Sequence, residues 1–207
     1  MPREWYGIVS QHINRRFSRP IAKFLARYPR ITPNHISILS FLVALTSGLA
    51  FSLHHPVLGG ILAQLSSILD GADGDLAAFT NRISPFGGFL DTLLDRYADA
   101  AILAGMIYYL FATSELNIIY IIIGIAALIG SLMVSYSAAH AKSGLGLVFS
   151  EGFSGYAASR DVRLFIIMLG GIVNQVFATL LVITALTNLT VLARIWTARS
   201  LKTGGRR

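Results

Sequence analysis

Six apolar runs, each near or beyond the ~18 residues that read as a bilayer span, set the terms on which this chain can fold. They cover roughly 34–53, 57–80, 86–112, 116–139, 158–173 and 175–198. Charged residues fill 13% of the 207 positions, against the ~25% usual in a soluble domain. The expected fold is an all-α integral membrane protein with six transmembrane helices. The length leaves room for one domain and a tail. The expected division is an amphipathic juxtamembrane segment over 1–32, a six-helix domain over 33–199 and a basic tail over 200–207.

Ahead of the first run, Ile8, Val9, Ile13, Phe17, Ile21, Phe24 and Leu25 recur at helical spacing, with Arg15, Arg16, Arg19, Lys23 and Arg27 filling other positions. Such a helix lies at the membrane interface with its basic face toward anionic headgroups. Pro20 is expected to break it or to start a second short helix. The first 30 residues show no apolar core before a small-residue cleavage site, so no cleavable signal peptide is expected.

The connectors at 54–56, 113–115 and around Asn174 are very short, whereas 141–157 contains Gly144, Gly146, Gly152 and Gly155 and reads as a flexible loop. Six crossings put both termini, the 80–86 link and the 141–157 loop on one side. All 17 Lys and Arg lie there or in span ends facing that side, and the opposite connectors hold none. The positive-inside rule then makes both termini cytoplasmic. The net charge of +7 belongs to that membrane face and not to a nucleic-acid patch. The chain has no cysteine, so it forms no disulfide, which fits a cytosolic or in-membrane site.

Six of the ten acidic residues fall between 70 and 99: Asp70, Asp73, Asp75, Asp91, Asp95 and Asp99. Carboxylates inside apolar spans are costly and mark a functional interior. Asp70 and Asp73 share one face of the second run, and Asp91 and Asp95 share one face of the third. The short 81–85 link makes these runs antiparallel neighbours, so four carboxylates can converge near the cytoplasmic side. Their mutual repulsion calls for protons or cations. Hard oxygen ligands at this density suit Mg²⁺, Mn²⁺ or Ca²⁺, ions that screen phosphates in phosphoryl transfer. A solvated polar turn and a carboxylate-lined ion or proton pathway are the competing readings.

The spacing is also that of a known signature. Asp70, Asp73, Gly74, Ala77, Gly87, Asp91 and Asp95 match the pattern D-x2-D-G-x2-A-R-x8-G-x3-D-x3-D in every interval, with Ala78 at the arginine position. The chain thus resembles the CDP-alcohol phosphatidyltransferases over essentially its whole length. The resemblance implies a two-metal site of Mg²⁺ or Mn²⁺ held by Asp70, Asp73 and Asp91. Asp95 would complete that site and act as general base on the acceptor hydroxyl, through position more than basicity. Gly74 and Gly87 would let donor phosphates approach the backbone, although helix packing explains either glycine equally well. Ala77 belongs to the same donor face. Asp75 and Asp99 lie outside the signature, and both site and structural roles stay open for them.

Thr32-Pro33-Asn34 forms a good helix start, and relatives carry a similar Pro-Asn near the nucleotide, which makes Asn34 a donor-site candidate. Arg82, one turn after Ala78, is a candidate to replace the missing arginine. Lys142, Arg160 and Arg163 are either snorkelling interface residues or a cationic pocket for a phosphate on the acceptor. The histidines show no ligand spacing, and Trp5, Tyr6, Tyr28 and Trp196 read as interfacial anchors.

The stretches 86–99 and 159–164 resemble the membrane domain of di-myo-inositol phosphate phosphate synthases. That branch joins CDP-inositol to inositol 1-phosphate with release of CMP, and often carries a fused cytidylyltransferase domain. The implied partners are a CDP-alcohol donor, a polar or inositol-phosphate acceptor, the lipid bilayer, a cytidylyltransferase and a second copy of the chain. A phospholipid synthase using CDP-diacylglycerol or its archaeal ether counterpart with inositol phosphate is the alternative. A carboxylate-relay transporter and an inactive scaffold, the latter suggested by Ala78, are the remaining rivals.

Overall fold

The computed structural model describes residue 9, residues 13–113, 118–149, 155 and 157–204, with side chains to residue 200. Trp5, Tyr6, Ile8, His12, the 114–117 connector, much of the second half of the 141–157 segment and the end of the basic tail lie outside the described residues. The described residues form seven helices: α1 Arg15–Leu25, α2 Pro33–Ser52, α3 Pro56–Phe79, α4 Pro85–Thr113, α5 Ile118–Leu145, α6 Arg160–Ile172 and α7 Val176–Gly204.

Pro33–Ser52, Ile118–Leu145 and Val176–Ser200 are long and apolar enough to cross a membrane, and the chain is a membrane protein. α3 and α4 are comparably long, at 24 and 29 residues, but carry the aspartates. α6 has 13 residues.

Two expectations are corrected. α1 continues through Pro20 without a break. Pro20 is exposed, so the Arg16 carbonyl, which loses its usual partner to the proline, can be satisfied outside the protein. The segment expected to loop from residue 141 is helical to Leu145. Hydropathy falls after 139, but the backbone ladder of α5 continues through Ala139, Ala141 and other residues compatible with helix. The chain leaves the helix at Gly146, whose φ is +64°.

Three helices end in the same way. His54, Asn81 and Asn174 take positive φ values of 64°, 53° and 55°. The next residue's amide then reaches back to a carbonyl five positions earlier: His55 to Ala50 at 2.9 Å, Arg82 to Ala77 at 2.9 Å and Gln175 to Gly170 at 2.8 Å. This closure satisfies orphan carbonyls and turns the chain sharply. It makes α2–α3, α3–α4 and α6–α7 tight hairpins.

α2 packs along both α3 and α4, α3 along α6, and α5 along α7. Phe51, Ile102, Met106, Leu164, Leu180 and Ile183 fill the main core. α2 and α4 cross at Gly48 and Gly105, where an added Cβ on Gly105 would overlap the Gly48 carbonyl. Such contact between backbones is open only to residues without a side chain.

α1 lies on α3. Ala22 packs with Ala72 and Leu76, while Asn14 Nδ2 donates to Ser67 Oγ at 2.9 Å and Gln64 Nε2 to Asn14 Oδ1 at 2.7 Å. On the far side Phe17, Phe24 and Tyr28 are exposed, as an interfacial helix requires.

Candidate active site

The α3–α4 hairpin brings the aspartates together. Asp70, Asp91 and Asp95 each offer one oxygen, and these oxygens all lie within 4.8 Å of one another. Three hard oxygen donors at that separation fit a divalent cation such as Mg²⁺ or Mn²⁺. Asp73 stands on the same face of α3, is buried, and accepts a short hydrogen bond from Ser37 Oγ of α2.

Beside this group is a cavity of about 260 Å³ bounded by the start of α2, the end of α3 and the start of α4. Asn34, Asp73, Gly74, Ala77, Arg82, Gly87 and Asp91 all line it. Nothing lies within 4 Å of a Cβ added to Gly74, and the same holds at Gly88. A glycine inside a helix costs ~1 kcal/mol relative to alanine, and no packing within the described residues explains Gly74. At Gly87 an added Cβ would meet Ser84 Oγ at 3.0 Å and Asn34 Oδ1 at 3.1 Å.

Arg82 Nη1 donates to the Pro29 carbonyl at 2.9 Å, so the guanidinium ties the α1–α2 connection to the cavity wall. Ala78, on the same turn as Ala77, is exposed.

The cations of α6 are placed among the aspartates. Arg160 Nη1 lies 2.9 Å from Asp70 Oδ1 and 2.8 Å from Asp95 Oδ1, and its Nε donates to Asp99 Oδ1 at 3.2 Å. Arg163 is buried, pairs with Asp99, and donates to the Ala158 carbonyl at 2.6 Å. Lys142 is exposed on the last turn of α5.

The two aspartates outside the signature resolve differently. Asp99 is the buried anion shared by Arg160 and Arg163. Asp75 turns away from the cluster to Ser18 Oγ at 3.0 Å and Arg15 Nη1 at 3.5 Å, fixing α1 to α3.

Several participants were not singled out in the sequence. Ser37 had a signal, since Ser37, Ser40 and Ser47 recur along one side of a largely apolar helix, and all three are buried. Arg194 had little: it donates to the Val134 carbonyl and to Ser137 Oγ at 2.9 Å, and lies 5.2 Å from the Phe149 ring centroid. His35, without an evident partner in the sequence, accepts from the Thr32 amide at 3.3 Å.

A profile of the CDP-alcohol phosphatidyltransferase family matches residues 30–197. The bifunctional IPC transferase and DIPP synthase of Aquifex aeolicus is 35% identical over 193 residues, covering 92% of this chain and 44% of that protein. The chain thus spans less than half the length of this curated relative. The archaetidylinositol phosphate synthase of Pyrococcus horikoshii is 34% identical over 169 residues, covering 82% of this chain and 84% of that protein. Among solved structures, the phosphatidylinositol phosphate synthase of Mycobacterium tuberculosis with bound CDP-DAG superposes with a TM-score of 0.75 at 24% identity, covering 88% of this chain and 94% of the other. The same enzyme has been solved with manganese and citrate.

Proposed function

The chain belongs to the CDP-alcohol phosphatidyltransferase family, and on that premise we propose that it transfers a phosphoryl-linked alcohol from a CDP-alcohol, CDP-inositol in the first reading, to a hydroxyl of inositol 1-phosphate, with release of CMP. The convergence of Asp70, Asp91 and Asp95 beside a cavity that Gly74 and Gly88 leave open supports this reading most directly. Two of the proteins named above, the archaetidylinositol phosphate synthase and the phosphatidylinositol phosphate synthase, make by their names inositol-containing phosphates.

In this scheme the donor phosphates lie along Gly74, Ala77 and Gly87, flanked by Asn34 and Arg82. Asp70, Asp73, Asp91 and Asp95 would hold two Mg²⁺ or Mn²⁺ ions, whose contribution is to screen the phosphates and the charge developing on the departing CMP. Asp95 takes the proton of the acceptor hydroxyl. That oxygen forms its bond to the phosphorus distal to cytidine as the bond to CMP breaks. Ser37 fixes the Asp73 carboxylate, and Lys142, Arg160 and Arg163 serve the acceptor phosphate.

The proposed setting is a six-helix membrane domain over 33–199 with α2 to α7 as spans, a juxtamembrane 1–32 segment and a 200–207 tail. Both termini and the site face the cytoplasm. A cytidylyltransferase, fused or separate, would supply the donor, and two copies would form a homodimer.

One observation favours a lipid donor. Phe86 and Phe89 are 64% and 61% exposed beside Gly87 and Gly88 at the cavity rim. They offer an apolar surface for the chains of CDP-diacylglycerol or its ether counterpart. CMP release by the purified protein decides between the readings. CDP-inositol with inositol 1-phosphate should support turnover that excess EDTA abolishes. Turnover only with the lipid donor selects the alternative, and turnover with neither, or undiminished in EDTA, overturns the scheme.

A further inference from the structure

We infer that Arg160 and the divalent cation are exclusive occupants of the same carboxylates, so that binding of metal releases the Arg160 guanidinium for a phosphate-bearing acceptor. The inference rests on the metal reading above and concerns the order in which the site is assembled.

Arg160 Nη1 lies within 2.9 Å of both Asp70 and Asp95, two of the three residues whose oxygens can gather on one cation. It is buried and makes no directional hydrogen bond with either, so these contacts act as attraction between charges at a point. A compact divalent cation can replace such contacts without loss of aligned hydrogen bonds. The two cations cannot share the carboxylates cheaply. At ~4 Å in surroundings with an effective dielectric near 20, unit charges already interact strongly, and a doubly charged ion doubles the repulsion.

A second nitrogen of the same guanidinium is anchored. Arg160 Nε does make a directional bond, to Asp99 Oδ1, and Asp99 is itself held by Arg163. Asp99 is therefore a pivot: the planar guanidinium can swing about Nε, carrying Nη1 away from Asp70 and Asp95 while Nε remains beside Asp99. Asp99 becomes a positioning residue whose effect reaches the site through Arg160. Because coupling between two ligands is reciprocal, an anion that draws Arg160 away from the aspartates must tighten metal binding, and metal must tighten the anion.

Calorimetric titration of the detergent-solubilised protein with Mn²⁺ tests this without reference to turnover. Arg160→Gln should bind Mn²⁺ about tenfold more tightly than wild type, or better, the size expected for removing one charge-assisted competitor. Sulfate, a phosphate-shaped dianion, should tighten Mn²⁺ binding by wild type and leave Arg160→Gln unmoved. Unchanged or weaker Mn²⁺ binding by Arg160→Gln overturns the inference while leaving the metal site intact. If Arg160→Gln does not fold, the wild type decides, and a sulfate-independent Mn²⁺ affinity overturns it. The combined change Asp70→Asn and Asp91→Asn separates the two readings: Mn²⁺ binding that survives it at unchanged affinity removes the metal site itself, and the inference with it.

Discussion

At the scale of single residues, charge and absence of side chain divide the labour. Asp95 lies 2.8 Å from Arg160 and takes the acceptor's proton in the proposed scheme, so Asp95→Asn should lower kcat by ~10²–10⁴-fold, the usual worth of a general base. CDP-alcohol binding measured by calorimetry should change little. Near-normal turnover would remove Asp95 from that role. Gly74 is the complementary case. A Cβ there touches nothing, so Gly74→Leu should not lower the unfolding temperature and should raise it slightly through better helix propensity. It should still raise the donor KM on the order of tenfold or more, because the new side chain enters the cavity. A drop in stability with normal KM would mean that Gly74 serves packing. The aspartate cluster was readable from the sequence because carboxylates are rare in apolar spans and their intervals of three and four residues fix a shared face. The partners of those carboxylates were not. Arg160 is separated from Asp70 by ninety positions, a contact between α6 and the α3–α4 hairpin that no local periodicity announces.

At the scale of elements, the hairpin turns set the register of the site. Asn81 in the left-handed region lets the Arg82 amide close on Ala77, and Ala77 and Arg82 both line the cavity. Asn81→Gly should retain or slightly raise thermal stability in detergent, since glycine tolerates this φ freely. Asn81→Val should cost ~1–2 kcal/mol and weaken the donor through Arg82. Equal stability of the two variants would show that the turn is not strained as described. The apolar runs identified the helices to within a few residues at most ends, because exclusion from water and helix formation coincide there. The departures arose where they part. α5 and α7 outlast their apolar runs, since a helical backbone needs no lipid, and α1 tolerates Pro20 because the affected carbonyl is at the surface.

At the scale of the whole molecule, the proposed orientation is open to a simple test, because the chain has no cysteine. Single substitutions Thr80→Cys and His55→Cys lie at opposite ends of α3. In intact cells a membrane-impermeant maleimide should label His55→Cys and spare Thr80→Cys until the membrane is opened. The reverse pattern would invert the orientation.

The crossing of α2 and α4 has a mechanical consequence. Gly48 and Gly105 pin the two helices at one level, and the cavity opens between the same helices about 20 Å away, at Asn34 and Asp91. The pair resembles a clothes-peg whose spring sits far from its jaws. Gly105→Leu, a wedge at the spring, should cost ~1–3 kcal/mol of stability from overpacking. In the protein that remains folded it should also spread the jaws, so that donor affinity falls although no residue near the donor has changed.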